Sequence, residues 1–254
     1  DKKFIASDQK GSIQTHARFK DIVEQMKERK GTWLILGRTQ ELVRELEGLA
    51  RMYGVFFQNT KGKHSFDLNK WNAIQYWKRL KEGGTVKKEE AGIIYTYINE
   101  IAYGWRSIES KRWKNLSDDK TFSLDFLRTF GGLLATPHKW QQVFNRNFSE
   151  IDKQYFEKII EKNIDLSLAS NIVIDTIHSI KGGEAQHVCV YEKANWPAHF
   201  ENKVGLARSS ESRVWYVAVT RAKESLHILR SYHEYFFPLA RLYNQFIKEH
   251  HGSS

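Results

Sequence analysis

Two short apolar runs, Ile172-Val173-Ile174 and Val188-Cys189-Val190-Tyr191, constrain this chain more than any other feature. Each is too short for a buried helix and lacks the polar alternation of a half-exposed strand, so both read as strands covered on both faces. Between them lies a polar crossing, Asp175-Thr176-Ile177-His178-Ser179-Ile180-Lys181-Gly182-Gly183-Glu184. Buried strands of this kind predict an α/β sheet, in which polar groups at the carboxyl end of a strand face a ligand crevice. The competing reading is a solvated turn in which Gly182-Gly183 merely supply positive φ.

The rest of the chain fits around those strands. Phe19, Ile22, Val23 and Met26 recur on one face of a helix that Gly31 ends. Trp33-Leu34-Ile35-Leu36 reads as a buried strand, and Thr39 as the cap of a helix striped by Leu42, Val43, Leu46, Leu49 and Tyr53. Beyond the stop at Gly54, Val55-Phe56-Phe57 reads as another strand, completing a β-α-β unit. Residues 1–15 are polar and read as a lead-in, as if the chain began inside a larger protein.

After Asn59 the texture changes. Trp71, Ile74, Trp77 and Leu80 mark one helix, Ile93, Ile94, Tyr97, Ile98 and Ile101 a second, and Phe122, Phe126, Leu127 and Phe130 a third. Further helices are expected around residues 140–148 and 155–164. The prediction is a helical insertion over 60–165 that divides an α/β domain into 1–59 and 166–254. In the second part, 192–208 reads as a loop with Trp196-Pro197 as a packed corner. Ser209 or Ser210 caps a helix burying Val214, Trp215, Val217 and Ala218, residues 226–229 form the last strand, and 235–248 a final helix. The Gly-Ser-Ser tail reads as an appended scar.

Composition narrows the partners. The net charge of +10 implies affinity for polyanions, nucleic acid first, with a solvated basic surface as the alternative. Aromatic faces among the eight tryptophans can stack unpaired bases, although their helical spacing assigns most of them to the core. The single cysteine, Cys189, excludes an internal disulfide and a multi-cysteine zinc site and reads as a packed thiol. No histidine cluster has metal-ligand spacing. No apolar run is long enough to cross a bilayer and no leader is evident, so an intracellular protein is expected, nucleoid-associated or viral.

Downstream of the crossing stands Arg213-Val214-Trp215-Tyr216-Val217-Ala218-Val219-Thr220-Arg221-Ala222-Lys223, followed by Ser225-Leu226-His227-Ile228-Leu229. In this order, TIHSIKGGE and YVAVTRAK resemble the last two motor motifs of UvrD/Rep-type superfamily I DNA helicases. The segment LILGRTQELVRELEGLARMYGVFF resembles the strand-Arg-helix near the start of the same family's second motor domain, with Gln40 where the family has Asn. The resemblance implies a RecA-like (P-loop NTPase-type) parallel sheet with an inserted all-helical subdomain, the C-terminal motor domain of an ATP-dependent DNA helicase.

It also implies roles. Arg221 would be catalytic, its guanidinium reaching the γ-phosphate of ATP across an interdomain cleft, whereas a structural ion pair is the plain alternative. Glu184 would accept hydrogen bonds from ribose hydroxyls and Gly182 would let nucleotide approach the backbone. The family's Lys-Gly-Leu-Glu is Lys181-Gly182-Gly183-Glu184 here, which removes an apolar anchor. Arg38, Thr176, His178 and Lys181 would contact DNA, and among Tyr235, Phe236 and Phe237 the ring assigned to base stacking is Phe237. For Arg38 the plain alternative is a surface cation, for His178 a core or capping histidine; Tyr216 would pack beneath the Arg221 helix. Arg221 and Glu184 are required to share an edge of the sheet.

Such insertions meet duplex DNA or regulate unwinding in the family, and Lys78-Arg79-Lys81, Lys87-Lys88 and Lys111-Arg112-Lys114 suit phosphate contacts or solvated helix faces equally. No G-x-x-x-x-G-K-[ST] loop and no Walker B carboxylate occurs in the chain. ATP and Mg2+ would therefore be held mainly by an N-terminal motor domain of the same protein, and this chain alone should hold no cofactor, bind DNA weakly and hydrolyse no ATP. The expected partners are single-stranded and duplex DNA and that N-terminal domain, with no membrane. The alternative is a non-catalytic, helicase-derived nucleic-acid-binding or protein-interaction module, distinguished by whether a phosphate loop is encoded upstream of Asp1.

Overall fold

The computed structural model describes residues 11–136, 138–166, 168–180, 182–194 and 208–251. The chain divides into two units, Asp1–Ser65 with Lys162–Ser254, and Phe66–Glu161. The first strand, β1 (Ser12–His16), overlaps the end of the stretch expected to be a polar lead-in. It sits at the edge of a sheet, where alternate side chains face water, so it needs no apolar run; its one aliphatic residue, Ile13, is itself 41% exposed. Helix α1 (Phe19–Glu28) buries Phe19, Ile22 and Val23, and β2 (Trp33–Gly37) is buried at every position. Thr39 accepts from the Leu42 amide to cap α2 (Gln40–Met52), which buries Leu42, Val43, Leu46 and Ala50. Val55, Phe56 and Phe57 are buried but lie in no strand; Gln58 next to them makes an isolated bridge, donating to Ile172 and accepting from Ile174 at 3.0 Å each.

The second unit begins where the Asp67 carboxylate caps α3 (Leu68–Lys81). It continues through β3 (Val86–Lys87), α4 (Lys88–Thr96), α5 (Lys111–Lys114), β4 (Thr121–Phe122), α6 (Leu124–Thr129), α7 (Trp140–Val143) and α8 (Glu150–Glu161). β3 and β4 form a two-residue antiparallel ladder that the sequence did not announce. The helices expected to run on to 101 and 148 stop at Thr96 and Val143. Tyr97, Ile98, Ile101, Phe144 and Phe148 still enter the core, but from irregular backbone. Aromatic rings fill space in many geometries, so their spacing looked helical without being so. Trp105 and Trp113 meet edge to face at 5.3 Å, and the Trp113 indole donates to the Trp105 carbonyl at 2.7 Å. Gly132, at φ 65°, lets the chain turn against Trp105; a Cβ there would stand 2.2 Å from the indole.

The unit boundaries at 65/66 and 161/162 differ from 59/60 and 165/166 because the flanking residues bond back to the first unit. The Ser65 amide donates to Phe57, and Lys162 Nζ caps the end of α2 through the carbonyls of Tyr53 (2.6 Å) and Gly54 (2.9 Å).

The first unit then resumes with β5 (Ile172–Thr176), β6 (Ala185–Tyr191), α9 (Arg208–Val219), β7 (Ala222–Leu229) and α10 (Leu239–His251). Because α9 starts at Arg208, Ser209 and Ser210 fall in its first turn rather than at its cap. The five strands are all parallel, in the order β1-β7-β6-β2-β5. This is the RecA-like α/β arrangement that the motifs implied. Alternation along the strands separates two cores. Trp33, Ile35, Cys189 and Leu229 pack with α1 and α2 on one face. Leu34, Leu36, Val188, Val190 and Ile228 pack with Trp215 and Ala218 of α9 and Ala240 of α10 on the other. Burial pushes the Cys189 thiol up to about 12, so it is an inert packing group. Residues 195–207, including the expected Trp196-Pro197 corner, lie outside the described residues.

One buried polar chain crosses the amino half of the sheet. His187 Nε2 donates to the Lys30 carbonyl at 3.0 Å, and the Ser225 hydroxyl stands 2.8 Å from both His187 Nδ1 and His227 Nε2. His227 Nδ1 then meets His16 Nε2 at 3.0 Å, tying β1 to β7.

Candidate functional site

The strand registers sort the candidate residues onto two opposite edges of the sheet. At the carboxyl edge, Gly37 of β2 stands level with Thr176 of β5. Arg38 follows directly and forms a bidentate ion pair with Glu211 of α9, whose side chain is only 2% exposed. Arg38 is thus neither a bare surface cation nor fully presented to solvent, its side chain being 18% exposed. Glu211 went unnoticed in the sequence because a helical carboxylate gives no sign of being buried.

Thr176 requires a correction. It is buried, and its hydroxyl lies 2.7 Å from Ser179 Oγ while accepting from the Ser179 amide. The expected contact between Thr176 and DNA is not what the structure offers: the hydroxyl shapes the turn, and the exposed side chains beside it are His178 and Ser179. Ile177 and Ile180 anchor that turn in the core. Asp175 braces it from beneath, accepting from the Thr60 amide and hydroxyl and from the Thr176 amide. Burial alone would raise the Asp175 carboxyl, but these hydrogen bonds and one from Ser179 outweigh it and hold its pKa below the ordinary value. Thr60 belongs to a loop organised by Asn59, whose side chain accepts from the amides of Lys61 and Lys63. Two exposed lysines therefore stand beside the Thr176 turn, in residues that the sequence had assigned to the helical insertion. The Asx turn at Asn59 was the available signal.

At the amino edge, Ala185 of β6 stands level with Ala222 of β7, so the residues just before them, Glu184 and Arg221, are neighbours. The Ala185 amide donates to the Arg221 carbonyl at 3.1 Å. Glu184 is exposed and lies 3.1 Å from Lys223 Nζ. Arg221 is half-buried at the end of α9, its Nε donating to the Val217 carbonyl at 3.0 Å and a terminal nitrogen to Thr220 Oγ1 at 3.4 Å. Among the described residues Arg221 makes no ion pair with a carboxylate. Gly182 holds φ at 87°, which favours glycine, and nothing lies within 4 Å of where its Cβ would be. Lys181 lies outside the described residues.

The segment from Thr176 to Glu184 is therefore not one compact cluster. It leaves the carboxyl edge with Thr176 and His178 and arrives at the amino edge with Glu184. Phe237 is a second correction. It is buried, stacked on Trp215 at 5.0 Å with planes 15° apart, and so presents no face to a base. Tyr216, expected beneath α9, is instead 49% exposed, and Trp215 is the residue that packs there. In the inserted unit the basic patches are partly consumed. Arg79 pairs with Glu90, Lys88 is buried on Asp118 and the Leu116 carbonyl, and the Arg112 guanidinium lies 5.2 Å from the centre of the Trp105 ring.

Among the described residues no helix is long and apolar enough to cross a membrane. No curated protein matches the chain. A family model does: that of the UvrD-like helicase C-terminal domain matches residues 4–235.

Proposed function

The chain belongs to the UvrD-like helicase C-terminal domain family, and on that premise we propose that it is the second motor lobe of an ATP-dependent DNA helicase, supplying an arginine finger and contacts to single-stranded DNA. The observation that carries this reading is the adjacency of Glu184 and Arg221 at one edge, with Arg38 and His178 at the other. The chain has no phosphate loop of its own, so ATP with Mg2+ belongs mainly to a preceding lobe and supplies the phosphoryl group to be transferred to water.

The amino-edge residues suit that partner. Arg221 donates to a carbonyl and a hydroxyl but to no carboxylate, so a γ-phosphate can replace weak neutral acceptors with a charge-assisted, bidentate pair. Its charge would then stabilise the negative charge spread over the phosphoryl oxygens during transfer. Glu184 can exchange its exposed lysine for ribose hydroxyls, because a surface ion pair of this kind contributes only about 0–1 kcal/mol.

At the carboxyl edge, His178 offers an exposed ring and donor to a strand, and Arg38 sits beside it, already oriented by Glu211. Between the two edges, Ile180 is anchored in the core. Closure of the lobes on nucleotide thus acts on the same short segment that touches DNA, and differential contacts in the open and closed states give the motion a direction.

The two edges should separate in kinetics. In the intact motor, Glu184→Ala should raise KM for ATP about tenfold, the loss of one good hydrogen bond to a charged group, and leave DNA affinity unchanged. His178→Ala should weaken single-strand binding and leave KM for ATP at saturating DNA unchanged. A Glu184→Ala variant that loses DNA affinity and keeps its KM would refute the assignment of edges.

A further inference from the structure

A cavity of about 460 Å³ opens at the carboxyl ends of β6 and β7, away from the Thr176 turn. Its walls carry Arg230, just after β7, Arg241, Asn244, Gln245 and Lys248 along α10, and Phe236. α10 lies outside the residues matched by the family model, so family membership assigns nothing to this wall.

Three features of the cavity point to one kind of ligand. Arg230, Arg241 and Lys248 line one volume, and among the described residues none of them is within ion-pair distance of a carboxylate; Arg230 lies over the Tyr232 ring, 5.7 Å from its centre. The carboxylate that also lines it, Glu192, is 3% exposed and already accepts from the amides of Ser231 and Ala240. It caps the start of α10 and its charge reaches Arg230, so Arg241 and Lys248 are the cations left without a carboxylate among the described residues. Finally, Phe236 is partly exposed where Phe237, its neighbour, is buried, and the side-chain amides of Asn244 and Gln245 line the same cavity. Cations serve a phosphate, an aromatic face serves a base, and amides serve base-edge donors and acceptors. The volume falls within the range of small-ligand sites, about 300–1,000 Å³.

We propose that this cavity binds one nucleoside-phosphate unit, with the phosphate on Arg230, Arg241 and Lys248 and the base against Phe236. The chemistry is the same for a free nucleotide and for one residue of a single strand. The inference rests on the nucleic-acid engagement proposed above but uses none of the same residues.

The test is fluorescence anisotropy of the 254-residue chain with labelled oligothymidylate across a salt series, competed by thymidine monophosphate or by inorganic phosphate. All four mutated side chains below are exposed or half-buried, and a thermal melt checks that each variant folds. The double variant Arg241→Ala/Lys248→Ala should weaken binding at least tenfold and flatten the salt slope by about 0.7, the contribution of one neutralised phosphate on a single strand. Phe236→Leu should weaken binding several-fold without changing that slope. Competition by the monophosphate that disappears in the double variant supports the site with a free nucleotide as its occupant. Equal competition by inorganic phosphate, with Phe236→Leu silent, overturns it in favour of a bare anion site. If the double variant binds as the parent does while His178→Ala does not, the cavity assignment falls and the motor reading stands. Loss in the double variant with His178→Ala silent does the reverse.

Discussion

At the scale of the residue, two neighbours show what a linear pattern can and cannot convey. Tyr235, Phe236 and Phe237 present equivalent rings on paper, and only the path of the chain decides their fates: Phe237 turns onto Trp215, while Phe236 stays partly exposed at a cavity. Phe237→Ala should therefore cost about 3–5 kcal/mol in urea-induced unfolding, the usual loss for a buried phenylalanine, and a change within 1 kcal/mol would show that the ring is not a core element. Thr176 was legible as a motif residue but not as a buried one, because a hydroxyl satisfied by its own turn looks the same in sequence as one offered to a ligand. The paired glycines are likewise unequal. Gly182 lies at positive φ, so Gly182→Ala should destabilise by about 1–2 kcal/mol. Gly183 does not, and a Cβ there would meet the Ile180 carbonyl at an ordinary 3.4 Å, so Gly183→Ala should leave stability within about 0.5 kcal/mol in the same unfolding assay.

At the scale of the element, the strands buried on both faces and the amphipathic helices α1, α2 and α3 were readable, since each carries its periodicity within itself. β1 was not. Its stability comes from pairing with β7 and from the His16–His227 bond across that pairing, neither of which leaves a local pattern. The histidine chain also makes the sheet sensitive to pH. Burial, and then the charges of His16, Arg29 and His187, push His227 down to about 3; burial likewise lowers His16, with Asp21 opposing. A histidine in the unfolded chain takes up its proton near 6.5, whereas these two do so only at lower pH when folded. The unfolded state therefore binds more protons below 6.5, and their contribution to stability is complete above that pH and lost as pH falls toward the folded values. The urea midpoint should hold steady from pH 8 to 7 and decline from about 6.5 to 5, before most carboxylates titrate. In His227→Gln the decline should be shallower. An unchanged midpoint across that window would mean that the chain of histidines opens to water.

At the scale of the whole molecule, the two motifs identified the family and the sheet, while the arrangement of the candidate site was only half legible. That Glu184 and Arg221 share an edge follows from strand register, and so does the finding that His178 stands at the opposite edge. A motif read as one string had concealed a segment that spans the sheet. The inserted unit was legible as a change of composition, but its short helices were not, because its aromatic core is built partly from loops. The chain carries no phosphate loop, so purified alone it should show no ATP turnover above buffer in a coupled assay, and measurable hydrolysis would mean that the nucleotide site is complete without a second lobe.

The most direct measurement is DNA-stimulated ATP hydrolysis by the intact motor carrying Arg221→Ala, with single-strand affinity measured on the same sample. An arginine finger predicts a fall in kcat of about a thousandfold or more with DNA affinity retained. Hydrolysis at the parent rate would contradict the account.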